Sequence, residues 1–505
     1  MPYYLSIDQS TSATKALLFD EQLELVDKVG LEHQQRYPKP GWVEHDVEEI
    51  WMNTKTSVRG LIERRSEEGA SIACLSITNQ RETIVVFEKG SGKPLYPAMV
   101  WQCRRGAEIC REVNSQGHGN RVERKTGLKV DTYFSASKLR WLMRERPDIA
   151  DRVADGSALV GTIDACLVYR MTGGRSFATD TTNASRTLLF DIETLEWDDE
   201  LCALWNVPLQ SLPEVRDSSS IFGETDLEGI LPKSLPICGV MGDSQAALFA
   251  QGCFESGQAK VTFGTGSSLL LTTGNERQIP GNGIVETLAW TIEGRPTYAY
   301  EGIIISSGAT LAWLRDHLGV FQDYSEVEGM ARAVEDNGGV YLVPAFTGLG
   351  LPYWDSDARA AIVGMSSQCD RRHVVRAGLE SIALQVSVAL EEMMSEAGTP
   401  LRSLRADGGA TANQFLMQLV ADLCGTELEV SEMSECSGLG AVMSGLVGIG
   451  IVDDLSGLAT FKRDMTRYAF QPERSSEIET LRTGWNAAVE QIIGRRPKDA
   501  LEPVS

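Results

Sequence analysis

Short apolar runs of strand character alternate with helical stretches along most of the chain. This alternation is typical of α/β proteins. Two helices are predicted in the second half, where residues 306–317 end before Gly319 and residues 415–423 end before Gly425. Between them, apolar residues recur every three or four positions and predict one long amphipathic core helix, with its apolar positions at Val375, Leu379, Ile382, Val386, Leu390 and Met393.

Two segments share one pattern, in which an apolar strand, a tip rich in Ser, Thr and Gly, and a second apolar strand follow each other. They are residues 4–20 and 260–274, which lie roughly half a chain apart. The repeat predicts two related lobes, each opening with a β-hairpin whose tip faces a shared cleft. Two unrelated hairpins would also explain the pattern, because hairpins are common.

The length and the net charge of the chain limit the number of domains and the kinds of partner that can be expected. A chain of 505 residues is too long for one compact core, so two or more domains are expected. The net charge of -23 disfavours nucleic acid and anionic membrane surfaces as partners. The longest apolar run, residues 439–452, is too short and too rich in glycine to span a bilayer, and predicts a buried helix instead.

The cysteine pattern argues for a reducing compartment. None of the ten cysteines is spaced as C-x-x-C, and only five histidines are present, which disfavours a zinc cluster or a disulfide framework. Residues 1–4 lead directly into a strand-like segment, unlike a signal peptide. A cytoplasmic location is therefore expected.

The two hairpin tips, residues 10–14 and 264–268, suit phosphate binding, because small residues let backbone N–H groups approach and hydroxyls add donors. Asp8 precedes the first tip, where a carboxylate can hold Mg²⁺ against phosphates. For one tip alone, a solvated turn is the more common explanation. Residues 90–93 imitate the end of a P-loop but lack its upstream glycine and precede Pro94, which predicts a surface turn.

Three further segments place polar residues after predicted strands, where open α/β sheets bind ligands. Arg81 and Glu82 suit vicinal hydroxyls, although a surface ion pair is the simpler explanation. Residues 407–413 contain two glycines that would admit a flat ligand or a phosphate, or they form a plain strand-to-helix connection. Asp243 is either a helix N-cap or a general base that accepts a proton from an attacking hydroxyl, and the pattern leaves both open.

Taken together, these segments resemble the FGGY carbohydrate kinases over nearly the whole chain, and most closely the members that phosphorylate glycerol. The motifs that carry the resemblance are residues 37–46, 77–83, 100–105, 133–141, 182–187, 343–350, 352–355 and 361–380, the last with an unusual Gly378. The resemblance implies an α/β fold of two ribonuclease-H-like lobes, as in actin-like ATPases, with an interdomain catalytic cleft. Domain 1–250 would carry the polyol site, the first phosphate loop and the catalytic Asp; domain 251–505 would carry the second phosphate loop and the adenosine motif.

The same resemblance implies residue roles. Asp243 would be the general base, and Asp8 and Asp243 the carboxylates near Mg²⁺. The polyol site would comprise Arg81, Glu82, Trp101, Tyr133, Asp243, Ser244 and Ser268. The ATP site would comprise Thr11, Ser12, Ala13, Thr14, Lys15, Thr265, Gly308, Ala312, Gly409 and Asn413.

Four of these positions depart from the family pattern. Ser244 stands where Gln is usual and Ser268 where Phe is usual, so bulk is lost and polarity gained beside the polyol. Such a pocket is expected to accept a four- or five-carbon polyol, or to bind glycerol loosely. Lys15 replaces an Arg and loses the bidentate fork. Ala312 replaces a polar residue at the nucleotide edge.

The expected activity is transfer of the terminal phosphate of Mg·ATP to a small polyol, first of all glycerol, giving sn-glycerol 3-phosphate. The alternative is a kinase for a larger polyol or ketose, such as a tetritol, a pentitol or erythrulose. A third possibility is an actin-like ATPase that serves as a structural or regulatory switch, which would turn over ATP without polyol. Relatives are commonly dimers or tetramers.

Overall fold

Each half of the chain forms a large sheet, and the computed structural model describes residues 2–281, 283–355 and 357–493. The strands of the first half are β1 Tyr3–Gln9, β2 Ala13–Phe19, β3 Leu25–Glu32, β4 Glu44–His45, β5 Ile72–Asn79, β6 Ile84–Glu88, β7 Ala98–Met99, β8 Ala158–Thr162, β9 Ala178–Asp180, β10 Phe190–Asp191, β11 Glu196–Trp197, β12 Glu214–Arg216, β13 Ile221–Thr225 and β14 Leu235–Gly242. The helices of the first half are α1 Val47–Arg64, α2 Ser66–Gly69, α3 Ala107–Ser115, α4 Gly119–Thr126, α5 Ser135–Glu145, α6 Pro147–Ala154, α7 Ile163–Met171, α8 Thr181–Ala184, α9 Asp199–Trp205 and α10 Asp243–Ala250.

The second half continues in the same alternating manner. Its strands are β15 Gln258–Phe263, β16 Ser267–Gly274, β17 Val285–Ile292, β18 Arg295–Ile304, β19 Tyr341–Val343, β20 Ala361–Val363, β21 Ser403–Gly408, β22 Leu428–Ser431 and β23 Met465–Tyr468. Its helices are α11 Gly308–Asp316, α12 Ser325–Arg332, α13 Arg371–Ala397, α14 Gln414–Cys424, α15 Cys436–Gly448, α16 Leu455–Leu458 and α17 Ser475–Glu490. Short 3-10 helices lie at Leu209–Ser211, Gly409–Ala412 and Pro472–Arg474.

Five strands of each large sheet share the same pattern of pairing. In the first, β1 pairs antiparallel with β2, which pairs antiparallel with β3; on its other side β1 pairs parallel with β5, which pairs parallel with β14. In the second, β15, β16, β18, β21 and β22 repeat these pairings in the same order. The predicted repeat of two hairpin-opened, ribonuclease-H-like lobes is therefore confirmed, and the explanation by unrelated hairpins is wrong.

The central strands are buried because helices cover both faces of the first sheet. β1 and β5 read as nearly continuous buried runs, as expected of strands inside a covered sheet. Helix α1 packs on β2 and β3, and α15 packs on β14, β5 and β1. The apolar run at residues 439–452 thus forms a buried helix as predicted, but only as far as residue 448, because α15 ends there. Among the described residues, no helix is long and apolar enough to cross a membrane.

The burial of the long helix α13 differs from the sequence-based prediction of an amphipathic helix. The helix is present as expected, and α11 and α14 lie where helices were predicted. However, α13 is not amphipathic over its central part, because every residue from Val374 to Ser387 is buried. The helix lies between β16 and β18 on one side and α11, α12 and α14 on the other. Its polar residues are satisfied inside the lobe; for example, Gln385 Nε2 donates to the carbonyl of Ser306.

The lobes meet through two helices, each of which follows the last of the five shared strands of its sheet. Helix α10 follows β14, α15 follows β22, and the two pack against each other. Helix α15 comes from the second half of the sequence yet covers the sheet of the first half. Close approach requires glycine, because a Cβ added at Gly440 would overlap the carbonyl oxygen of Ala246 in α10. The division at residue 250 stays a prediction.

This packing predicts opposite effects for two Gly→Ala changes in helices. Gly440→Ala should lower the free energy of unfolding by about 1–3 kcal/mol, because α10 must move away. Gly329→Ala, in the exposed part of α12, has open space around its Cβ and should raise that free energy by about 0.5–1 kcal/mol. Urea denaturation measures both, and equal shifts in the two variants would contradict the close helix contact.

Candidate active site

Asp243 lies where β14 ends and α10 begins, between the two lobes. Gly242 occupies the N-cap position, so a purely capping role for Asp243 is wrong. Its side chain is 37% exposed, and Oδ1 accepts a hydrogen bond from the backbone N–H of Ser244 at 2.7 Å. The Nε of Arg81 lies 3.3 Å from the same oxygen. A partly exposed carboxylate beside a fixed cation can receive a proton from a hydroxyl.

Arg81 and Glu82 belong to a buried network of alternating charges, so their interpretation as a surface ion pair is wrong. Arg81 Nη2 lies 2.7 Å from Oε1 of Glu301, and Arg186 Nη2 lies 2.6 Å from Oε2 of the same carboxylate. Arg186 Nε donates to Oε1 of Glu82 at 2.7 Å. All four side chains are at most 4% exposed. Glu301 comes from β18 of the second lobe, whereas the other three residues belong to the first.

Burial and charge pull the pKa values of this network in opposite directions. Burial alone would raise the pKa of Glu301, but the guanidiniums of Arg186 and Arg81 lower this pKa to about 2. Burial keeps the pKa of Glu82 raised despite the same two guanidiniums. Burial also raises the pKa of Tyr133 well above its ordinary value, which keeps its hydroxyl protonated.

Two aromatic residues stand beside this network. The rings of Trp101 and Tyr133 lie 5.2 Å apart between centroids. Trp101 Nε1 donates to Oγ1 of Thr11 at 3.0 Å, which ties this wall to the first hairpin tip. Lys138 holds the segment that carries Tyr133, because its Nζ donates to the carbonyls of residues 132, 133 and 134 at 2.8–2.9 Å. The indole and the phenol thus form one fixed wall beside the network of Arg81 and Glu82.

The two serines that depart from the family pattern face each other across the lobes. Ser268 Oγ, on β16, donates to Ser244 Oγ, on α10, at 3.3 Å. Both residues are half-buried. Ser244 directly follows Asp243, so this serine pair borders the candidate base.

The first hairpin tip connects β1 and β2. Ser12 is exposed at the tip, and Ala13 begins β2. Thr14 is buried and pairs with Gln9 across the hairpin. The carbonyl of Thr11 accepts from Nε2 of the buried His33, which fixes the tip from behind. Backbone N–H groups and the Ser12 hydroxyl are therefore available at the cleft.

The second tip is supported by the start of α11. The N–H of Gly308 donates to the carbonyl of Gly264 at 3.0 Å, and the N–H of Ala309 donates to that of Thr265 at 2.9 Å. A Cβ at Gly308 would lie 2.7 Å from the Gly264 oxygen, so this contact requires glycine. Ala312 lies one turn further along α11 and is half-buried.

The predicted adenosine motif lies at the end of β21. Gly408 pairs with Phe263 beside the second tip and has a φ of 100° that favours glycine. Gly409 is exposed, and a Cβ there would meet open space. Asn413 is the N-cap of α14, where its side chain accepts from the N–H of Leu416 at 2.9 Å. The motif is therefore open to solvent.

Asp8 and Lys15 form a second charged cluster with Glu435. Lys15 Nζ lies 2.7 Å from Oε2 of Glu435 and 3.5 Å from Oδ2 of Asp8, and Lys28 Nζ lies 2.9 Å from Oε1 of Glu435. Burial raises the pKa of Asp8 to about 6. The negative charges of Glu435 and Asp243 add to this increase, whereas the positive charge of Lys15 opposes it. Glu435 comes from the second half of the chain, directly before α15, so this cluster ties that half to β1, β2 and β3.

Three site residues were missed from the sequence. Arg186 lies inside a motif used for the resemblance but received no role. Glu301 is a single acid in the apolar run of β18, a signal that could have marked it. Glu435 has no comparable signal, because its partners are distant in sequence. By contrast, the predicted turn at residues 90–93 is confirmed in part: residues 90, 91 and 93 are exposed, whereas Gly92 is buried.

Comparison with known proteins identifies the family. The N-terminal domain of the FGGY family of carbohydrate kinases matches residues 3–250, and its C-terminal domain matches residues 259–449. Glycerol kinase 1 of Thermotoga maritima is 46% identical over 492 residues, covering 97% of this chain and 99% of that protein. The glycerol kinase of Desulfitobacterium hafniense is 44% identical over 492 residues, with the same coverage of both chains.

Solved structures agree with this assignment. Plasmodium falciparum glycerol kinase with ADP superposes with a TM-score of 0.92 at 37% identity, covering 98% of this chain and 99% of that one. The xylulose kinase of Lactobacillus acidophilus has a TM-score of 0.88 at 20% identity, over 98% and 99% of the two chains, and supports the fold alone. The chain belongs to the FGGY family of carbohydrate kinases.

Proposed function

We propose that this protein transfers the terminal phosphate of ATP to a hydroxyl of a small polyol, and that glycerol is its first candidate substrate. One observation carries the proposal: the Asp243 carboxylate lies between the lobes, 3.3 Å from Arg81, and the same guanidinium also interacts electrostatically with Tyr133. The relatives named glycerol kinase support the choice of glycerol.

The polyol site would use the buried network of the first lobe. The carbon edge of the polyol would lie on the Trp101 ring, while Arg81 donates to and Glu82 accepts from neighbouring hydroxyls. The charged partners of Arg81 and Glu82 hold both side chains in place before the polyol binds, so little ordering is required on binding. Tyr133 stays protonated and can donate its O–H.

In the chemical step, Asp243 would accept the proton of the attacking hydroxyl. The polyol oxygen forms a bond to the γ-phosphorus while the bond from that phosphorus to the β–γ bridging oxygen breaks, and ADP leaves. The hairpin tips at Thr11–Thr14 and Thr265, with Gly308, would donate backbone N–H groups and hydroxyls to the phosphates. Ala312, Gly409 and Asn413 would border the nucleoside.

The carboxylate of Asp8, just before the first hairpin tip, is suited to binding a magnesium ion. Among the residues that the structure describes, no group of three or more His, Cys, Asp or Glu side chains could hold a metal by itself. Asp8 would therefore share the ion with phosphate oxygens and water, with Asp243 nearby. Burial raises the pKa of Asp8, and Glu435 and Asp243 add negative charge that opposes the effect of Lys15, so a divalent cation would be favourable beside this carboxyl. When bound, Mg²⁺ neutralises phosphate charge.

The serine pair favours a second candidate substrate class. Ser244 and Ser268 contact each other where longer side chains are usual in the family, and they border Asp243. A longer chain with one more hydroxyl, such as a tetritol, would find both space and hydrogen-bond partners there. The interpretation as a polyol-independent ATPase is disfavoured, because it gives no role to the buried polyol network.

The proposal includes a cytoplasmic location and assembly into a homo-oligomer. All ten cysteines are free, which suits a reducing compartment and supports a cytoplasmic location. A homodimer or homotetramer stays a prediction from the relatives. No role for nucleic acid is proposed, since the net charge is -23.

The first test of the mechanism is Asp243→Asn. Loss of the proton acceptor should lower kcat by about 10²–10⁴-fold, whereas ATP binding should be nearly unchanged. Coupled ADP detection and calorimetric ATP titration measure the two quantities. Asp148→Asn, at an exposed site on α6, is the control and should keep normal turnover. Normal turnover of Asp243→Asn would remove Asp243 from its role.

Substrate choice can be read from kcat/KM for glycerol, a tetritol, a pentitol and erythrulose. If kcat/KM for a tetritol exceeds kcat/KM for glycerol, the larger polyol is the preferred substrate. In either case, the double variant Ser244→Gln/Ser268→Phe should fill the pocket and lower the tetritol-to-glycerol ratio by about 10-fold or more. An unchanged ratio in the double variant would show that the serine pair does not border the substrate. ATP turnover without any polyol would instead support the switch interpretation.

The buried Asp8 predicts a pH-dependent gain in stability from Asp8→Asn. A pKa raised from 3.8 to about 6 means that the folded state loses stability as the pH rises through this range. Without ligands, the variant should therefore be more stable than the wild type by about 3 kcal/mol at pH 8, and by about 1 kcal/mol near pH 4.5. Urea denaturation at both pH values measures this difference. Added Mg·ATP should stabilise the wild type more than the variant; a pH-independent difference would contradict the burial argument.

A further inference from the structure

Glu301 is a carboxylate of the second lobe at the centre of a site otherwise built by the first lobe. It lies on β18, and its side chain is 0% exposed. Each carboxylate oxygen faces a different arginine: Oε1 lies 2.7 Å from Arg81 and Oε2 lies 2.6 Å from Arg186. Both arginines belong to the first lobe, so this double ion pair is also a contact between the lobes.

Arg186 extends the network to Glu82. Its side chain is 0% exposed, and its Nε donates to Glu82 Oε1 at 2.7 Å. The charges therefore alternate from Glu82 through Arg186 and Glu301 to Arg81. Buried charges are stable only when opposite charges and hydrogen-bond partners surround them, so each member fixes the position of the next.

The local backbone does not fix the Arg81 side chain by itself. Arg81 and Glu82 lie in the short connection between β5 and β6, and Glu82 has a φ of 61°. Gly242 leaves room for the Arg81 side chain, since a Cβ there would lie 2.7 Å from Arg81 Cγ. The direction of the guanidinium is set instead by its partners, which are Glu301, Asp243 and Gln245, the last accepting from Nη1 at 3.2 Å.

We propose that Glu301 and Arg186 are positioning residues of the polyol site, which act on the polyol through Arg81 and Glu82. Because Glu301 belongs to the second lobe, affinity for the polyol depends on the contact between the lobes. This inference rests on the proposed polyol kinase function. It adds two residues that need not touch the substrate, and it explains why the polyol site requires both lobes.

Removal of the Glu301 charge should affect the polyol and ATP differently. In Glu301→Gln, Arg81 loses its strongest partner and turns towards Asp243, away from the hydroxyls. The nucleotide contacts predicted at the hairpin tips do not involve Glu301. The KM for the polyol should therefore rise at least tenfold, while the KM for ATP should change less than twofold.

The experiment compares Glu301→Gln with Glu380→Gln, measuring both KM values and the urea midpoint. Glu380 is a matched control, because it is a buried acid of the same lobe that pairs with Arg376 Nε at 2.7 Å and with Asn337 at 2.9 Å. Both variants should lower the midpoint. Only Glu301→Gln should raise the polyol KM, and Glu301→Asp, which keeps the charge, should recover part of the loss.

The outcomes separate this inference from the function on which it rests. If the wild type makes no polyol-dependent ADP, the proposed function fails. If the wild type is active and Glu301→Gln lowers the midpoint as Glu380→Gln does but leaves the polyol KM unchanged, Glu301 is only structural and the inference is overturned. If Glu301→Gln does not fold, Arg186→Lys decides, since it keeps the positive charge but loses the planar fork. It should raise the polyol KM, and an unchanged KM overturns the inference.

Discussion

The structure depends on a buried guanidinium, that of Arg81, held between acids of both lobes. A charge placed in the interior is costly unless opposite charges surround it, and Glu301 supplies the nearest one from across the lobe boundary. Arg186 and Glu82 extend the pairing, so the segment after α8, the β5–β6 connection and strand β18 are held at fixed distances. The Asp243 carboxylate can stay partly exposed beside this network, because the rest of the charge is satisfied without it.

The duplicated fold explains how a chain with a large negative charge can bind phosphate groups. Its net charge of -23 opposes anions at a distance, so donors must act at short range. Each lobe opens with a hairpin whose tip is built from small and hydroxylated residues, and the two tips are brought to the boundary between lobes by equivalent strands. Helices α10 and α15, which follow β14 and β22, hold the lobes together through glycine contacts.

Family membership and substrate choice rest on different parts of the molecule. In the proposed polyol site, the charge network would fit any vicinal diol, whereas Ser244 and Ser268 would add two small hydroxyls next to Asp243. Their 3.3 Å contact crosses the lobes, so the pocket size at this border depends on how the lobes pack. Relatives of this chain that are named glycerol kinase therefore support the reaction more strongly than they support one polyol.

The sequence by itself determined the α/β class, the repeated hairpins and the helices α11, α14 and α15, because these follow from local periodicity. Its contiguous motifs also carried the resemblance to the family, from which the proposed polyol-site residues come. It did not determine that α13 is buried all round, since burial depends on what packs against each face. Nor did it reveal Arg186 and Glu301 as partners of Arg81 and Glu82, or that the two unusual serines touch. Those contacts join residues far apart in the chain, and only the packing of one lobe against the other decides them.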